Sequence, residues 1–131
     1  MAFIPHIIGN TEQTAFEYLP CDNITVYVGM ALVLSGGILV AATGTTAPTY
    51  FSMTAKTCEQ DEIIPVTPVR KDIIYETINQ AVFTSVVPGD LVTLHTDGMQ
   101  VTATETNGVA TVVSFPTAAV TATGEKILVR F

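Results

Sequence analysis

The side chains that could carry out chemistry are few and widely spaced. The chain has two histidines, His6 and His95, and two cysteines, Cys21 and Cys58. Nucleophilic catalysis needs a serine or cysteine next to a histidine that an acid orients, and neither cysteine lies in a motif of that kind. His95 and Asp97 would share one face of a strand. However, two ligands are too few to predict a metal, and Asp97 is better explained by the Asp-Gly turn that it starts.

The carboxylates and glycines also lack the spacing of an active site. The acidic candidates are Asp61, Glu62, Asp72 and Glu76. Their spacing does not favour a paired acid and base, so we expect them in solvent. Gly36-Gly37 lacks the Lys-Ser/Thr pair of a phosphate-binding loop. We therefore predict no catalytic residue, no metal and no cofactor, and we do not expect an enzyme.

Composition limits the classes of partner. Hydrophobic residues make up 48% of the chain and charged residues 13%, which is about half the usual charged share. A small protein with so little charge exposes a weakly polar surface, which favours life in an assembly. The net charge is −7, and the five basic residues include one adjacent pair, Arg70-Lys71. Nucleic-acid binding needs clustered basic residues, so we expect no nucleic-acid partner and no binding to an anionic membrane.

The length of 131 residues fits one domain. Two cysteines do not make a disulfide framework. Cys21 and Cys58 either pair or, as we favour, are two small buried side chains. No basic segment precedes an apolar core at the start of the sequence, so we expect no signal peptide and a protein that stays inside the cell or leaves it by lysis.

An uncharged run from Val26 to Ala42 could form a membrane helix or a β-hairpin. A membrane helix needs about 20 apolar residues, so this run is short. Ser35-Gly36-Gly37 in its middle is a turn signal, and the flanking Ile, Val and Tyr residues prefer strands. No Lys or Arg flanks the run to orient a span. We predict two buried strands joined by a glycine turn.

Two further segments are harder to interpret. Pro65 and Pro68 interrupt residues 63–69, which predicts an edge strand or an extended connector. Residues 71–83 place apolar side chains near helical spacing, but they also fit a strand that ends at Asn79. We favour the strand.

The C-terminal third has the clearest strand pattern. Turn signals at Pro88-Gly89-Asp90, Asp97-Gly98 and Asn107-Gly108 separate runs that alternate between apolar and polar residues. The predicted strands of this region are residues 91–96, 99–105, 109–115 and 127–131. Regularly spaced turns favour a sandwich or a barrel. The sequence therefore predicts an all-β fold, a small single-domain β-sandwich or barrel with a C-terminal meander and an extended N-terminal arm.

The predicted arm comprises residues 1–20, and residues 21–131 form the predicted β-domain. Pro5 and Gly9 break the apolar start of the chain. Its apolar side chains need a surface to cover them, either on the same domain or on a neighbouring subunit to which the arm adds a strand. The candidate capsid or subunit contacts are Phe3, Ile4, Pro5, Ile7, Ile8, Phe16 and Tyr18.

Several stretches resemble the small capsid decoration, or cement, proteins of tailed bacteriophages. They are Gly29-Met-Ala-Leu-Val-Leu-Ser-Gly-Gly-Ile-Leu-Val-Ala-Ala-Thr-Gly44 with residues 48–53, residues 64–77, residues 88–104 and residues 124–131. The resemblance is one of pattern over residues 25–131. It implies a β-rich, often trimeric protein that binds the outside of a matured head and locks neighbouring capsid subunits, with no enzyme activity.

From this resemblance we expect a homotrimer with the major capsid protein as partner. The protein would be assembled in the host cytoplasm and located on the capsid exterior of the virion. One alternative is a head-fibre or adhesion module that binds host surface glycans, although the chain has no Trp and only four Tyr and six Phe. Another is a head-completion or tail structural protein.

Overall fold

Strands and turns make up the regular structure in the part of the chain that the computed structural model describes, which is residues 3–8 (backbone alone at 5–8), 16–115 and 122–131. The strands are β1 Ile4–Ile8, β2 Glu17–Cys21, β3 Thr25–Val26, β4 Ala31–Ser35, β5 Ile38–Ala41, β6 Tyr50–Ser52, β7 Lys56–Thr57, β8 Glu62–Pro68, β9 Ile73–Ile78, β10 Leu91–Val92, β11 Ala110–Ser114 and β12 Lys126–Arg130. The fold is all-β and forms one small domain, as predicted.

Five strands close into a barrel in the order β2-β5-β4-β6-β8. All neighbours are antiparallel except β2 and β5, which meet in parallel where Cys21 lies opposite Leu39. Alternate side chains point into the barrel and form its core, as the period of a strand requires. The buried residues of this core are Cys21, Val26, Met30, Leu32, Leu39, Cys58, Ile64 and Val66.

The hairpin predicted within Val26–Ala42 is confirmed as β4 and β5. Gly36 and Gly37 join the two strands with φ of +61° and +85°. Two consecutive positive φ angles match the twist of a tight hairpin, and glycine adopts them without steric cost. Among the described residues there is no helix with the length and apolarity to cross a membrane.

The other strands form a five-stranded antiparallel sheet in the order β1-β9-β12-β11-β10, while β3 and β7 pair separately. Strand β9 confirms the strand predicted within residues 71–83. It ends before Asn79, whose buried side chain donates to the oxygens of Ala81 (2.8 Å) and Ala122 (2.7 Å) and accepts the N–H of Glu125 (2.7 Å). This one amide therefore ties together the two loops at that end of the sheet.

Four aromatic rings join the barrel to the sheet. Phe51 points outward from β6, and its ring centroid lies 4.8 Å from that of Tyr75 on β9, 5.3 Å from that of Phe3 and 5.7 Å from that of Phe131. Such tilted ring pairs contribute about 0.5–1.5 kcal/mol each beyond the area that they bury. The Tyr75 hydroxyl accepts the N–H of Arg70 (3.2 Å), and burial raises the pKa of Tyr75.

The segment predicted to be an arm contributes a strand to each half of the fold. Strand β1 pairs with β9 in the sheet, and β2 pairs with β8 and β5 in the barrel. Phe3 is buried in the aromatic cluster. The boundary that we placed at residue 20 therefore passes through a barrel strand.

Strand β8 lies between β2 and β6, which corrects our prediction that Pro65 and Pro68 confine residues 63–69 to an edge strand or a connector. The Met53 N–H donates to the Pro65 oxygen (3.0 Å). In an antiparallel ladder the N–H and C=O of one residue point to the same neighbouring strand. Pro65, whose C=O points toward β6, would therefore also direct an N–H toward β6, at a point just past Ser52, where β6 ends. Pro68 faces the β2 side, past the paired residues of β2. Neither proline therefore removes a ladder hydrogen bond.

Residues 99–105 form no strand, which corrects the prediction of a regular meander strand there. The oxygen of Thr93 accepts the Thr102 N–H (3.0 Å), while the N–H of Thr93 donates to the Thr104 oxygen (3.0 Å). One residue is thus bonded to two positions on the partner segment, which bulges the ladder and interrupts pairing. The two threonine hydroxyls, of Thr93 and Thr102, also hydrogen-bond each other (2.6 Å).

The same segment also contacts the barrel on its other side. Leu94 exchanges both of its backbone hydrogen bonds with Gly44 in the loop after β5 (3.0 and 2.9 Å). The predicted turn at Asp97-Gly98 is nevertheless present, since the Gly98 N–H donates to the His95 oxygen (3.0 Å) and Gly98 has a φ of +68°.

The turn at Asn107-Gly108 is also confirmed, and its glycine has a specific packing role. The Gly108 N–H donates to the Glu105 oxygen (3.2 Å). A Cβ atom on Gly108 would lie 2.5 Å from the carbonyl carbon of Leu91 and 2.6 Å from the nitrogen of Val92. Glycine is therefore required at this position because two backbones approach closely.

We expect Gly108→Ala to lower the free energy of unfolding by about 2–3 kcal/mol, since the backbone of β10 must shift to admit the methyl group. Gly36→Ala is the matched control, because a Cβ there meets open space and only its positive φ opposes the change, at a cost of about 1 kcal/mol. Urea unfolding monitored by circular dichroism measures both. Equal losses in the two variants would contradict the close approach at Gly108.

Candidate interaction face

The ladder between β2 and β8 carries apolar side chains on both of its faces. Alternation points Cys21 and Ile64 into the barrel, which leaves their neighbours on the outside. Tyr18 lies directly opposite Pro65, and Pro20 lies opposite Ile63. We call these four outward residues (Tyr18, Pro20, Ile63 and Pro65) the barrel face.

Water reaches the two largest side chains of the barrel face. Tyr18 is 67% exposed and Ile63 is 56% exposed, and Phe16, immediately before β2, is 53% exposed. A single exposed apolar side chain is ordinary. Tyr18 and Ile63, however, stand on paired strands, and a large contiguous apolar patch is typical of a surface that binds another molecule.

The opposite side of the barrel is covered by the rest of the domain. Ala31 and Phe51 point outward from β4 and β6, and both are buried in the core that the barrel shares with the five-stranded sheet. The barrel wall therefore has one side that packs within the domain and one side that faces solvent. Within the described residues, Tyr18 and Ile63 of the barrel face lie on the side that faces solvent.

Two ion pairs flank the barrel face along β8. Lys56 pairs with Glu62 where β8 begins, and Arg70 pairs with Asp72 just after β8 ends (2.6 Å between Nη2 and Oδ2). These cations are matched by carboxylates, so the barrel face itself presents neutral side chains. Both ion pairs are only partly buried, so each contributes little to stability.

The seven predicted contact residues fall in different environments. Phe16 and Tyr18 are exposed on or beside the barrel face, and Ile4 is half exposed on β1. Phe3 is buried between Phe51 and Phe131, so it stabilises the core and is not available to a partner. For Pro5, Ile7 and Ile8 the structure places the backbone in β1, and their side chains lie outside the described residues.

Sequence reasoning missed the other half of the barrel face. Pro20, Ile63 and Pro65 are not among the predicted contacts. Pro65 and Pro68 predict an edge strand or a connector for residues 63–69, and Pro20 is the last residue of the predicted arm. The alternation of Ile63, Pro65 and Thr67 against Ile64 and Val66 is the signal that could have identified an exposed side of β8.

The side chains that could take part in catalysis or metal binding have structural roles instead. Asp97 accepts the Met99 N–H through Oδ1 (2.9 Å) and the Gln100 Nε2–H through Oδ2 (2.8 Å), so its carboxylate holds its own turn. Cys21 and Cys58 are free thiols in the barrel core. In residues 16–115, 122–131 and the described start, no three His, Cys, Asp or Glu side chains are grouped to hold a metal ion.

One pair of carboxyl groups interacts on the surface near β10. A hydrogen bond with the Asp90 carboxyl raises the pKa of Glu105. Asp90 also accepts the Val87 N–H through Oδ2 (3.0 Å), which fixes that side chain in its turn. Glu105 is therefore held beside a negative charge that favours its protonated form.

Comparisons of the chain with protein families, with curated proteins and with solved structures found no match. The fold and the barrel face therefore rest on the geometry described above.

We expect the Asp90–Glu105 pair to make stability depend on pH. The folded state raises the pKa of Glu105, so protonation of this carboxyl stabilises the fold. This stabilisation is fully present below the pKa of the unfolded state, near 4.3, and is lost as the pH rises through the pKa of the folded state. Glu105→Gln should therefore melt slightly higher than the native protein at pH 7, with the difference closing below about pH 4. Thermal unfolding from pH 3 to pH 8 measures this.

Glu17→Gln removes the same charge from an exposed strand position and serves as the control. An equal change in the two variants at pH 7 would mean that net charge, and not the contact with Asp90, sets the effect.

Proposed function

We propose that this chain is a structural virion protein, a decoration or cement protein that binds the outer surface of a phage head and stabilises the expanded capsid. Its partner would be the major capsid protein, and the active form would be a homo-oligomer, by resemblance a trimer on the capsid exterior. The observation that carries the proposal is the barrel face, a contiguous apolar surface on a rigid closed barrel. The sequence resemblance to phage decoration proteins supports it.

The parts of the sequence that resemble decoration proteins coincide with elements of both halves of the fold. Residues 29–44 contain the β4–β5 hairpin, residues 64–77 contain most of β8 and β9, and residues 124–131 contain β12. The barrel face lies on β8, which is one of these elements, and on β2, which pairs with it. A binding surface on a strand ladder is held in place by hydrogen bonds on both sides, so little conformational entropy is lost when it binds.

The mechanism would be the burial of apolar surface, repeated by symmetry. An ordinary interface buries about 800 Å² on each partner, and an oligomer that touches the shell at several points gains avidity without new kinds of contact. A protein that binds the expanded shell and not its precursor stabilises the expanded state by mass action. Such a clamp resists the outward pressure of the packaged genome.

Stoichiometry is the first test of the proposal. Quantitative mass spectrometry of particles that carry the chain should find it in a fixed ratio to the major capsid protein. A head-completion or tail structural protein, the second alternative from the sequence, would instead occur as one small ring per particle. A copy number of that kind would overturn the cement role.

The barrel face gives a sharper prediction. Ile63→Ser and Tyr18→Ser should each weaken binding to expanded heads by about tenfold or more, as for the central residues of an interface. Stability should change by less than about 1 kcal/mol, because both side chains already face water. Co-sedimentation with purified heads measures the binding, and thermal unfolding measures the stability.

Val87→Ser is the matched control, since Val87 is 55% exposed but lies in the turn before β10. Unchanged binding in the Tyr18 and Ile63 variants, or an equal loss in the Val87 variant, would remove the barrel face from the interface.

The exposed rings of Phe16 and Tyr18 favour one second candidate, a module that binds host surface glycans, because aromatic faces stack on sugar rings. A glycan array decides between the two. Saturable binding that Tyr18→Ser abolishes, together with no binding to heads, would favour the adhesion module.

A further inference from the structure

The two cysteines meet inside the barrel. Cys21 is the last residue of β2, and Cys58 follows β7 by one residue. The Asp61 N–H donates to the Cys21 oxygen (2.9 Å), and the Cys58 N–H donates to the Ile24 oxygen (2.8 Å). These hydrogen bonds hold the two segments together, so that both side chains enter the same core cluster with 0% and 1% exposure. Both are free thiols, and Cys58 is near enough to contribute to the raised pKa of Cys21.

We infer that Cys21 and Cys58 form a latent intrachain disulfide, which a low-molecular-weight disulfide such as oxidised glutathione converts into a covalent staple of the barrel. The bond would join the end of β2 to the segment between β7 and β8 and would close a long loop of chain. This inference concerns the covalent state of the barrel, and it stands whether or not the protein decorates a capsid.

The exchange is balanced in two steps. The thiolate of one cysteine attacks the oxidised glutathione, forms a mixed disulfide and releases one glutathione thiolate, which takes up a proton. The thiolate of the second cysteine then attacks the protein sulfur of the mixed disulfide, forms the Cys21–Cys58 bond and releases the second glutathione. The protein loses two electrons and two protons, and one oxidised glutathione becomes two reduced molecules.

Burial delays this reaction, so both cysteines stay reduced until the barrel opens. Desolvation, and after it the hydrogen bond with Cys58, raises the pKa of Cys21 to about 12, so the reactive thiolate is scarce at neutral pH. Oxidised glutathione also needs the barrel to open locally before it can enter. We therefore expect slow oxidation of the native protein and faster oxidation at urea concentrations that loosen the barrel without unfolding it.

The test uses the full chain, incubated with oxidised glutathione at pH 8 and then alkylated after denaturation. Intact mass should show two alkylated thiols before incubation and none afterwards, with a loss of two hydrogen atoms and no attached glutathione. The oxidised protein should melt at least about 5 °C higher than the reduced protein. Reduction with dithiothreitol should return the original melting temperature.

Cys21→Ser and Cys58→Ser are the matched variants, and in each of them the remaining cysteine should end as a mixed disulfide with glutathione without a rise in melting temperature. The Ala versions repeat the test if a buried hydroxyl prevents folding. Two attached glutathiones on the native protein, or an oxidised form that melts lower than the reduced one, would overturn the inference.

Discussion

The contact of Phe51 with Phe3, Tyr75 and Phe131 is the interaction on which the rest of the structure depends. A closed barrel and a five-stranded sheet each have an apolar side that neither can cover alone. Phe51 projects from the barrel wall, and the three other rings come from the sheet or from the chain next to it. The cluster therefore fixes which side of the barrel is buried. By the same geometry it determines that the ladder of β2 and β8 faces outward.

How much the sequence could predict follows from how local each signal is. The hairpin around Gly36-Gly37 and the turns at Asp97-Gly98 and Asn107-Gly108 were predictable because turn chemistry is contained in adjacent residues. The parallel contact of Cys21 with Leu39 that closes the barrel has no local signal. Nor does the exchange between Leu94 and Gly44, which joins the segment after β10 to the loop after β5. Both are pairings between residues far apart in the chain, which the pattern within one segment cannot indicate.

The candidate site was half predictable for a related reason. Tyr18 is among the predicted contacts because it lies in the predicted arm, whose apolar side chains need a surface to cover them. Its neighbours across the ladder, Ile63 and Pro65, were missed because a proline was assumed to exclude a central strand. The position of Pro65 opposite the end of β6 shows that the rule concerns the side on which a hydrogen bond is needed. That side is set by the register, which the sequence does not display.

The barrel strands lie in the sequence between β1 and its partner β9, and this order has a consequence for synthesis on the ribosome. All five barrel strands come from residues 17–68, so the barrel has its complete set of partners when only the first half of the chain has emerged. Strand β1, by contrast, must wait for β9, and Phe3 must wait for Phe131. Residues 3–8 are therefore synthesised before the strand with which they pair. Until Phe131 is available the ring of Phe3 lacks part of its cover, and apolar surface that is exposed for a time in this way promotes aggregation.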